Sequence, residues 1–480
     1  MLTRRSFLRN VAAGLAGSVV LRGLGLRQAQ DCAGAAGGGG AGKRPNFLFI
    51  LGDDVTYSDL GCYGGKAVAT PNIDKLAANG MKFTRAYCAS SMCAPFRAEL
   101  YTGLYPVRNG VAYNHSLARS GTKSVVHHLR EMGYRVGLAG KKHASPAATF
   151  PFDAVKGALA EATAEYVARD ADQPFCLFVC SHNAHPAWRG GDVSKIDRDG
   201  MKLPPVIHDN SITRKTFAAY LAEVGALDVE VGDVLKALDD AGQADNTLVM
   251  FSSEQGWDFA FGKWTVWDVG VHTALLARWP GRIKAGSRAA AMVQMADVTP
   301  TLIDAAGGDP GACKLDGSSF LPVLLGKADK HRKYVYGLHN NVPEGEPYPI
   351  RSIRDERFHY IRNLTPDATY HEKHLMTEGL AKRYDLQWWQ ALKDAAEAGD
   401  PKAKRLFDKY HHRPAEELYL VDEDPWEQTN LAGDPKYAAD KNRLRAELEK
   451  WMARQKDSGV AMDTKEAYAA NKAAGRKKSK

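Results

Sequence analysis

Along this chain, short unbroken apolar runs alternate with longer amphipathic stretches. The segments "NFLFIL" (46–51), "RVGLAG" (135–140), "PFCLFVC" (174–180) and "TLVMFSS" (247–253) read as strands covered on both faces. Between them, "NIDKLAANG" (72–80), "AELYTGL" (98–104), "SVVHHLREMG" (124–133) and the long stretch 216–242 carry apolar residues at helical spacing. Gly80 and Gly133 close two of these helices. Strand–helix alternation on this scale predicts an α/β fold, a large and mostly parallel sheet between helices. Farther on, "YPIRSIRDERFHYIRNL" (348–364) reads as two short strands about a turn at Asp355-Glu356. "EELYLVDEDPWEQTNLA" (416–432) and the amphipathic "NRLRAELEKWMARQ" (442–455) follow it. They predict a smaller antiparallel sheet plus helix. The expected organisation is a leader and linker over 1–43, a catalytic unit over 44–338, a C-terminal subdomain over 339–458 and a disordered basic tail over 459–480.

In parallel sheets chemistry collects where strands end, and here the polar residues follow the strands directly. The first strand runs into Asp53 and Asp54, the second into Lys141 and His143, the third into His182 and His185, the fourth into Glu254 and Gln255. One His after a strand is ordinarily a packed loop residue. Four strands delivering acids, an amide, histidines and a lysine to one rim are a candidate site. Asp53, Asp54, Glu254 and Gln255 offer only oxygen ligands, which suits Ca²⁺ or Mg²⁺ and disfavours zinc.

Charge changes the picture little. The formal charge of +8 is carried by the ends: residues 1–44 hold +6 and residues 465–480 hold +5, which leaves −3 for the body. A nucleic-acid groove is not indicated. "TRRSFLRN" followed by "VAAGLAGSVVL" is a twin-arginine export pattern, with Arg4 and Arg5 ahead of an apolar run too short for a stable membrane span. The expectation is a periplasmic or extracellular protein that engages the twin-arginine translocase. The "AGAAGGGGAGK" linker (33–43) has nothing to pack. The chain contains no C-x-x-C. Cys176 and Cys180 lie about 13 Å apart at strand rise, too far for a disulfide.

The loop "SSMCAPFRAELYTG" (90–103) sets Cys93, Pro95 and Arg97 at alternate positions ahead of a helix. Together with "PNFLFILGDDVTYSDLGCYGG", "TPNIDKLAANGMKFTRAYC", "GKKH", "HPAW", "SSEQG" and "FGKWT" in this order, it resembles the formylglycine-dependent sulfatases of the alkaline phosphatase superfamily over residues 44–455. The resemblance implies that a formylglycine-generating enzyme converts Cys93 to formylglycine, a nucleophile held by Arg97. It implies Ca²⁺ on Asp53, Asp54, residue 93, Glu254 and Gln255. Lys141 and Lys263 would face the sulfate, His143 the nucleophile hydroxyl, and His185 the leaving group.

Within the family, Lys142 in "GKKHASPAATFPFD" and the stretches 348–364 and 410–435 resemble the heparan N-sulfatases. That implies an exo-acting enzyme on a sulfated glycan, either N-sulfoglucosamine or an O-sulfated sugar. His115, His182, His272, His339 and Arg351 complete the expected substrate contacts. Glu254-Gln255 replaces the usual Asp-Asn or Asp-His, 268–272 departs from the family's Glu-Gly-Gly stretch, and "FGKWT" lacks the subfamily's arginine. The alternatives are a phosphomonoester or phosphodiester hydrolase of the same superfamily, and a non-catalytic glycan-binding relative. The first would want histidine-rich two-metal ligation. The second is expected to lose the signature cysteine or the acids, which this chain keeps.

Overall fold

The computed structural model describes residues 43–476, apart from 171, 378, 380, 381 and 383–386. The leader and most of the linker lie outside the described residues. The large sheet contains β1 (Asn46–Gly52), β2 (Met81–Tyr87), β3 (Arg135–Gly140), β4 (Asp153–Val155), β5 (Phe175–Cys180), β6 (Thr247–Ser253), β7 (His272–Arg278), β8 (Ser287–Ala289) and β9 (Val293–Gln294). Its order is β4-β3-β5-β1-β6-β7-β2-β8, with β9 also on β2. β1 lies at the centre, parallel to β5 and β6, and every residue of these three strands is buried. That explains their uninterrupted apolar sequences, since helices cover both faces. β7 runs antiparallel to β6 and β2. The sheet is therefore mixed, mostly parallel, as the alternation predicts.

The helix Ser211–Asp240 starts where the Asn210 side chain accepts from the Thr213 N–H. It buries Phe217, Tyr220, Leu221, Val224, Leu227, Val231 and Val234, a stripe at the spacing of one helical face. Gly52, the last residue of β1, leaves room for this helix. A Cβ there would come 2.6 Å from a Leu227 methyl.

A second, four-stranded antiparallel sheet runs β10 (Val335–His339), β11 (Ile350–Arg354), β12 (Phe358–Asn363) and β13 (Glu416–Leu420) in that order. The predicted turn at Asp355-Glu356 joins β11 to β12. Main-chain and ionic contacts bind this sheet to the first. The Leu338 N–H donates to the Ala89 carbonyl at 2.7 Å, and Arg354 lies 2.6 Å from Asp268. The helix Ala438–Gln455 closes the second sheet with Leu444, Leu448 and Trp451 buried. Trp451 stacks on Tyr336 at 4.8 Å.

The expected disordered tail requires correction. Gly459–Met462 forms a 3-10 turn and Lys465–Arg476 a helix. Between them, buried Asp463 accepts from the backbone N–H groups of Asn341, Val342 and Tyr348 at 2.8, 2.9 and 2.8 Å. One carboxylate thus satisfies three otherwise orphaned donors, a strong reason for this segment to fold back. Asp463→Ala should cost about 3 kcal/mol or more, because it strands buried donors. Urea unfolding measures this, and a loss below about 1 kcal/mol would show that the segment is not anchored there.

Candidate active site

The signature loop gains its meaning from where its helix begins. Cys93 is the first residue of the helix Cys93–Thr102, every residue of which is buried, and Gly103 ends it at φ 64°. Pro95 sits in the first turn, where a missing N–H costs nothing. Arg97 lies four residues after Cys93 and so shares its face one turn on. The helix N-terminus adds partial positive charge at residue 93. Arg97 donates to the Lys141 carbonyl and lies 2.7 Å from Glu254 and 3.5 Å from Asp53. It therefore ties the helix to the ends of β3, β6 and β1.

Around Cys93 the strand ends converge. The Cys93 sulfur is 3.8 Å from Asp53 Oδ1, 3.9 Å from Asp54 Oδ1, 3.8 Å from Lys141 Nζ and 3.4 Å from Gln255 Nε2. β1 leaves the sheet with Asp54 in the left-handed region (φ 55°). The Glu254 N–H donates to the Gly52 carbonyl at 2.9 Å, and the Asp53 N–H to the Asn183 carbonyl at 2.8 Å. These bonds lock the ends of β6 and β5 to β1. Gly256 follows because a Cβ would stand 1.7 Å from the Val269 carbonyl.

Three buried acids face three buried or nearly buried cations. Asp53 pairs with Lys141 and Arg97, Asp54 with Lys263 at 2.7 Å, and Glu254 with Arg97. Burial would raise the Asp53 carboxyl, but Lys141, Glu254 and Arg97 together hold it well below the usual range. Burial dominates at Asp54 and Glu254 and raises both, against Lys263 and Arg97 respectively. One carboxylate oxygen each from Asp53, Asp54 and Glu254, with the Cys93 sulfur, lie within 4.8 Å of one another. Glu254 Oε2 and Gln255 Oε1 are buried with no hydrogen-bond partner. Orphaned oxygens beside clustered carboxylates fit a hard divalent cation.

Lys263 belongs to the loop after β6. Its Nζ is also 3.7 Å from Asp258, and that carboxylate accepts from Trp264 Nε1 at 3.1 Å. His185 stands 3.9 Å from Asp54, and burial with Lys263 nearby lowers its pKa. His143 Nε2 is 3.0 Å from His115 Nδ1, and burial first, then Lys141, brings His143 down to about 3. His182 is exposed on the segment after β5, within the electrostatic reach of Lys141 and Asp53.

Three expected substrate contacts are elsewhere. Arg351 is fully buried and its guanidinium is taken by Asp457. His339 is fully buried, 3.3 Å from Asn341. His272 stacks on Tyr57 at 3.8 Å and bonds Asp268 and the Thr84 carbonyl, both at 3.1 Å. All three side chains are buried, and their hydrogen bonds and ion pairs run to the protein itself. The sequence reading missed Asn114, Glu344, Lys373 and His374 beside His115. Glu344 Oε2 is 2.8 Å from His374 Nε2 and 3.0 Å from Lys373 Nζ, and the His374 ring lies parallel to that of Trp264 at 5.2 Å. Only the position of Asn114 next to His115 hinted at this wall.

The sulfatase family pattern matches residues 45–158 and 153–308, and the pattern "N-sulphoglucosamine sulphohydrolase, C-terminal" matches 253–376. The chain belongs to the sulfatase family. It is 35% identical over 432 residues to an ulvan-active sulfatase of Formosa agariphila, covering 86% of this chain and 81% of that one. It is 28% identical over 471 residues to human N-sulphoglucosamine sulphohydrolase, covering 86% and 91%. A solved structure described as in complex with its substrate, D-glucosamine-2-N,6-O-disulfate, shares the fold with a TM-score of 0.64 at 21% identity, over 88% of this chain and all of that one. As a member of this family the chain is a sulfuric ester hydrolase by class. Among the described residues no helix is long and apolar enough to cross a membrane.

Glu344 supplies a pH-dependent check on the missed wall. Burial would raise its carboxyl, but His374 and Lys373 bring it down to about 2. A carboxyl whose folded value is depressed stabilises the fold above the unfolded value, and that contribution fades as pH falls toward the folded one. At pH 6 the group should contribute roughly 3 kcal/mol. The stability gap between the wild type and Glu344→Gln should therefore narrow between pH 5 and pH 2. Urea titrations across this range test it, and a gap that widens on acidification would contradict the pairing.

Proposed function

We propose that this sulfatase hydrolyses sulfate esters or sulfamates of sulfated glycans, acting on chain ends, through formylglycine at position 93 and a bound Ca²⁺. The observation that carries the reading is Cys93 at the start of a buried helix, among three carboxylates, with Arg97 behind it and two lysines beside it. The thiol itself makes a poor nucleophile there. Burial and then Glu254 push its pKa well up, against Lys141 and Lys263. Conversion of Cys93 supplies, as the hydrated aldehyde, one hydroxyl to attack sulfur and a second whose proton loss releases sulfate. The cation would be held by Asp53, Asp54, Glu254 and Gln255, and supplies Lewis acidity toward a hydroxyl and a sulfate oxygen.

The chain's own groups do the rest. Lys141 and Lys263 are fixed ammonium groups, paired to opposite carboxylates and placed to offset charge on sulfate oxygens. His185, part-exposed beside Asp54, is placed to give a proton to the departing oxygen or nitrogen. Arg97 is screened from solvent and acts by holding Glu254 and the Lys141 backbone. The named substrates of the relatives, ulvan, N-sulphoglucosamine and a glucosamine disulfate, support a sulfated sugar here. The twin-arginine leader supports export, with the maturation enzyme acting before folding because residue 93 is buried afterwards. Oxygen-rich ligation disfavours a zinc phosphohydrolase.

Four experiments test this. Mass spectrometry of protein co-produced with a formylglycine-generating enzyme should show Cys93 converted. Cys93→Ala should fall to background on sulfated saccharides while keeping its melting temperature. Chelation should abolish activity and lower that temperature, and calcium should restore both; restoration by zinc alone would contradict the ligand assignment. The chain-end preference is read from sulfated mono- and disaccharides against intact polymer. Release from internal positions faster than from ends would reject the exo reading and leave the chemistry standing.

A further inference from the structure

Two touching histidines share an uncommon backbone state. His115 (φ 57°) and His143 (φ 38°) are both left-handed, as are Asp54 and Trp264 of the same site, out of eight non-glycine residues so placed among the described ones. Each costs free energy that its surroundings must offset, and such residues gather at functional sites. His143 also has a buried ring nitrogen, Nδ1, without a hydrogen-bond partner. What fixes these rings can be traced from one acceptor.

We propose that Glu344, Asn114 and His115 form a line of hydrogen bonds that fixes the tautomer of His143, leaving Nε2 as acceptor and Nδ1 as a free donor. The line starts at Glu344, whose side chain is 2% exposed and accepts from Lys373, His374 and Asn114. A carboxylate only accepts, so the side of Asn114 facing it is the amide nitrogen, Nδ2, at 3.2 Å. The same Nδ2 is 3.2 Å from His115 Nε2. An amide nitrogen only donates, so His115 Nε2 is bare and receives the second N–H. A neutral imidazole then carries its hydrogen on Nδ1. His115 Nδ1 is 3.0 Å from His143 Nε2, which is therefore the acceptor. The remaining hydrogen of His143 sits on Nδ1, the atom without a partner.

An imidazolium at His115 would set an N–H against the Asn114 N–H at 3.2 Å, nearer than the Glu344 oxygen at 4.0 Å, and a flipped Asn114 would set its carbonyl against Glu344. In each alternative the nearest pair is a pair of like groups. Both rings are also held neutral, by burial first: His115 is lowered from its ordinary value, and so is His143. His143 thus keeps Nδ1 as an unspent hydrogen-bond donor, preset by a carboxylate on the connection between β10 and β11. His115, Asn114 and Glu344 are positioning residues. The inference rests on the reading that residue 93 carries the chemistry beside His143, but its first test does not use activity.

The wild-type protein is labelled with ¹⁵N-histidine, and its ring nitrogens are read by multiple-bond ¹H–¹⁵N correlation, His143 being assigned from its loss in His143→Gln. The expected pattern is hydrogen on Nδ1 and a bare Nε2. His115→Asp offers only acceptors in place of the Nδ1–H and should move the His143 hydrogen to Nε2. His115→Asn keeps an N–H donor and should retain the wild-type pattern. In turnover, His115→Asp should lower kcat at least tenfold with KM changed less than threefold, and His115→Asn should recover most of that loss. An Nε2–H pattern in the wild type, or an unchanged pattern in His115→Asp, overturns the inference. The wild-type pattern without sulfate release would instead leave the tautomer assignment standing and fail the sulfatase chemistry.

Discussion

The arrangement depends on keeping three carboxylates buried at the ends of two adjacent parallel strands. Asp53 and Asp54 end β1 and Glu254 ends β6, and none of the three is exposed. Isolated charges in such a place are not tolerated, because desolvation of each costs several kcal/mol. Lys141, Lys263 and Arg97 answer them one for one, and each cation arrives from a different element: the end of β3, the loop after β6 and the signature helix. The charge requirement therefore dictates which loops must meet.

Much of this was legible because parallel strands expose their functional ends in sequence. An apolar run followed at once by Asp-Asp, Lys-Lys-His or Glu-Gln reads as a strand leaving the core, and β1, β3, β5 and β6 all follow that grammar. β2 and β7 did not stand out. β2 mixes Lys82, Thr84 and Arg85 into its run, since one face is only partly covered. β7 is antiparallel and enters the sheet at the rim, so His272 is its first residue and turns into the core against Tyr57.

Arg351 and the tail part from their expected roles for one physical reason. A buried partner distant in sequence leaves no local trace. Arg351 meets Asp457 across 106 residues, and Asp463 meets three backbone donors at 341, 342 and 348. A lone arginine on a strand, or a lysine-rich end, has the same local composition whether solvated or fully paired. Only the pairing separates substrate-facing side chains from those spent on structure.

That pairing also gives the second sheet its place in the chemistry. The connection from β10 to β11 is pinned on one side by Asp463 and on the other by Asn341, whose amide donates to the carbonyls of Glu346 and His371 at 2.7 and 2.8 Å. Gly345 has no Cβ to collide with the His371 carbonyl, which would lie 2.0 Å away. The pinned connection holds Glu344, and Glu344 reaches Asn114 and the short helix carrying Lys373 and His374. His374 lies flat against Trp264, whose neighbour Lys263 pairs with Asp54. The C-terminal segment thus braces both ends of the rim, His143 through His115 and Lys263 through Trp264. Residues far from Cys93 in sequence therefore set the geometry around it.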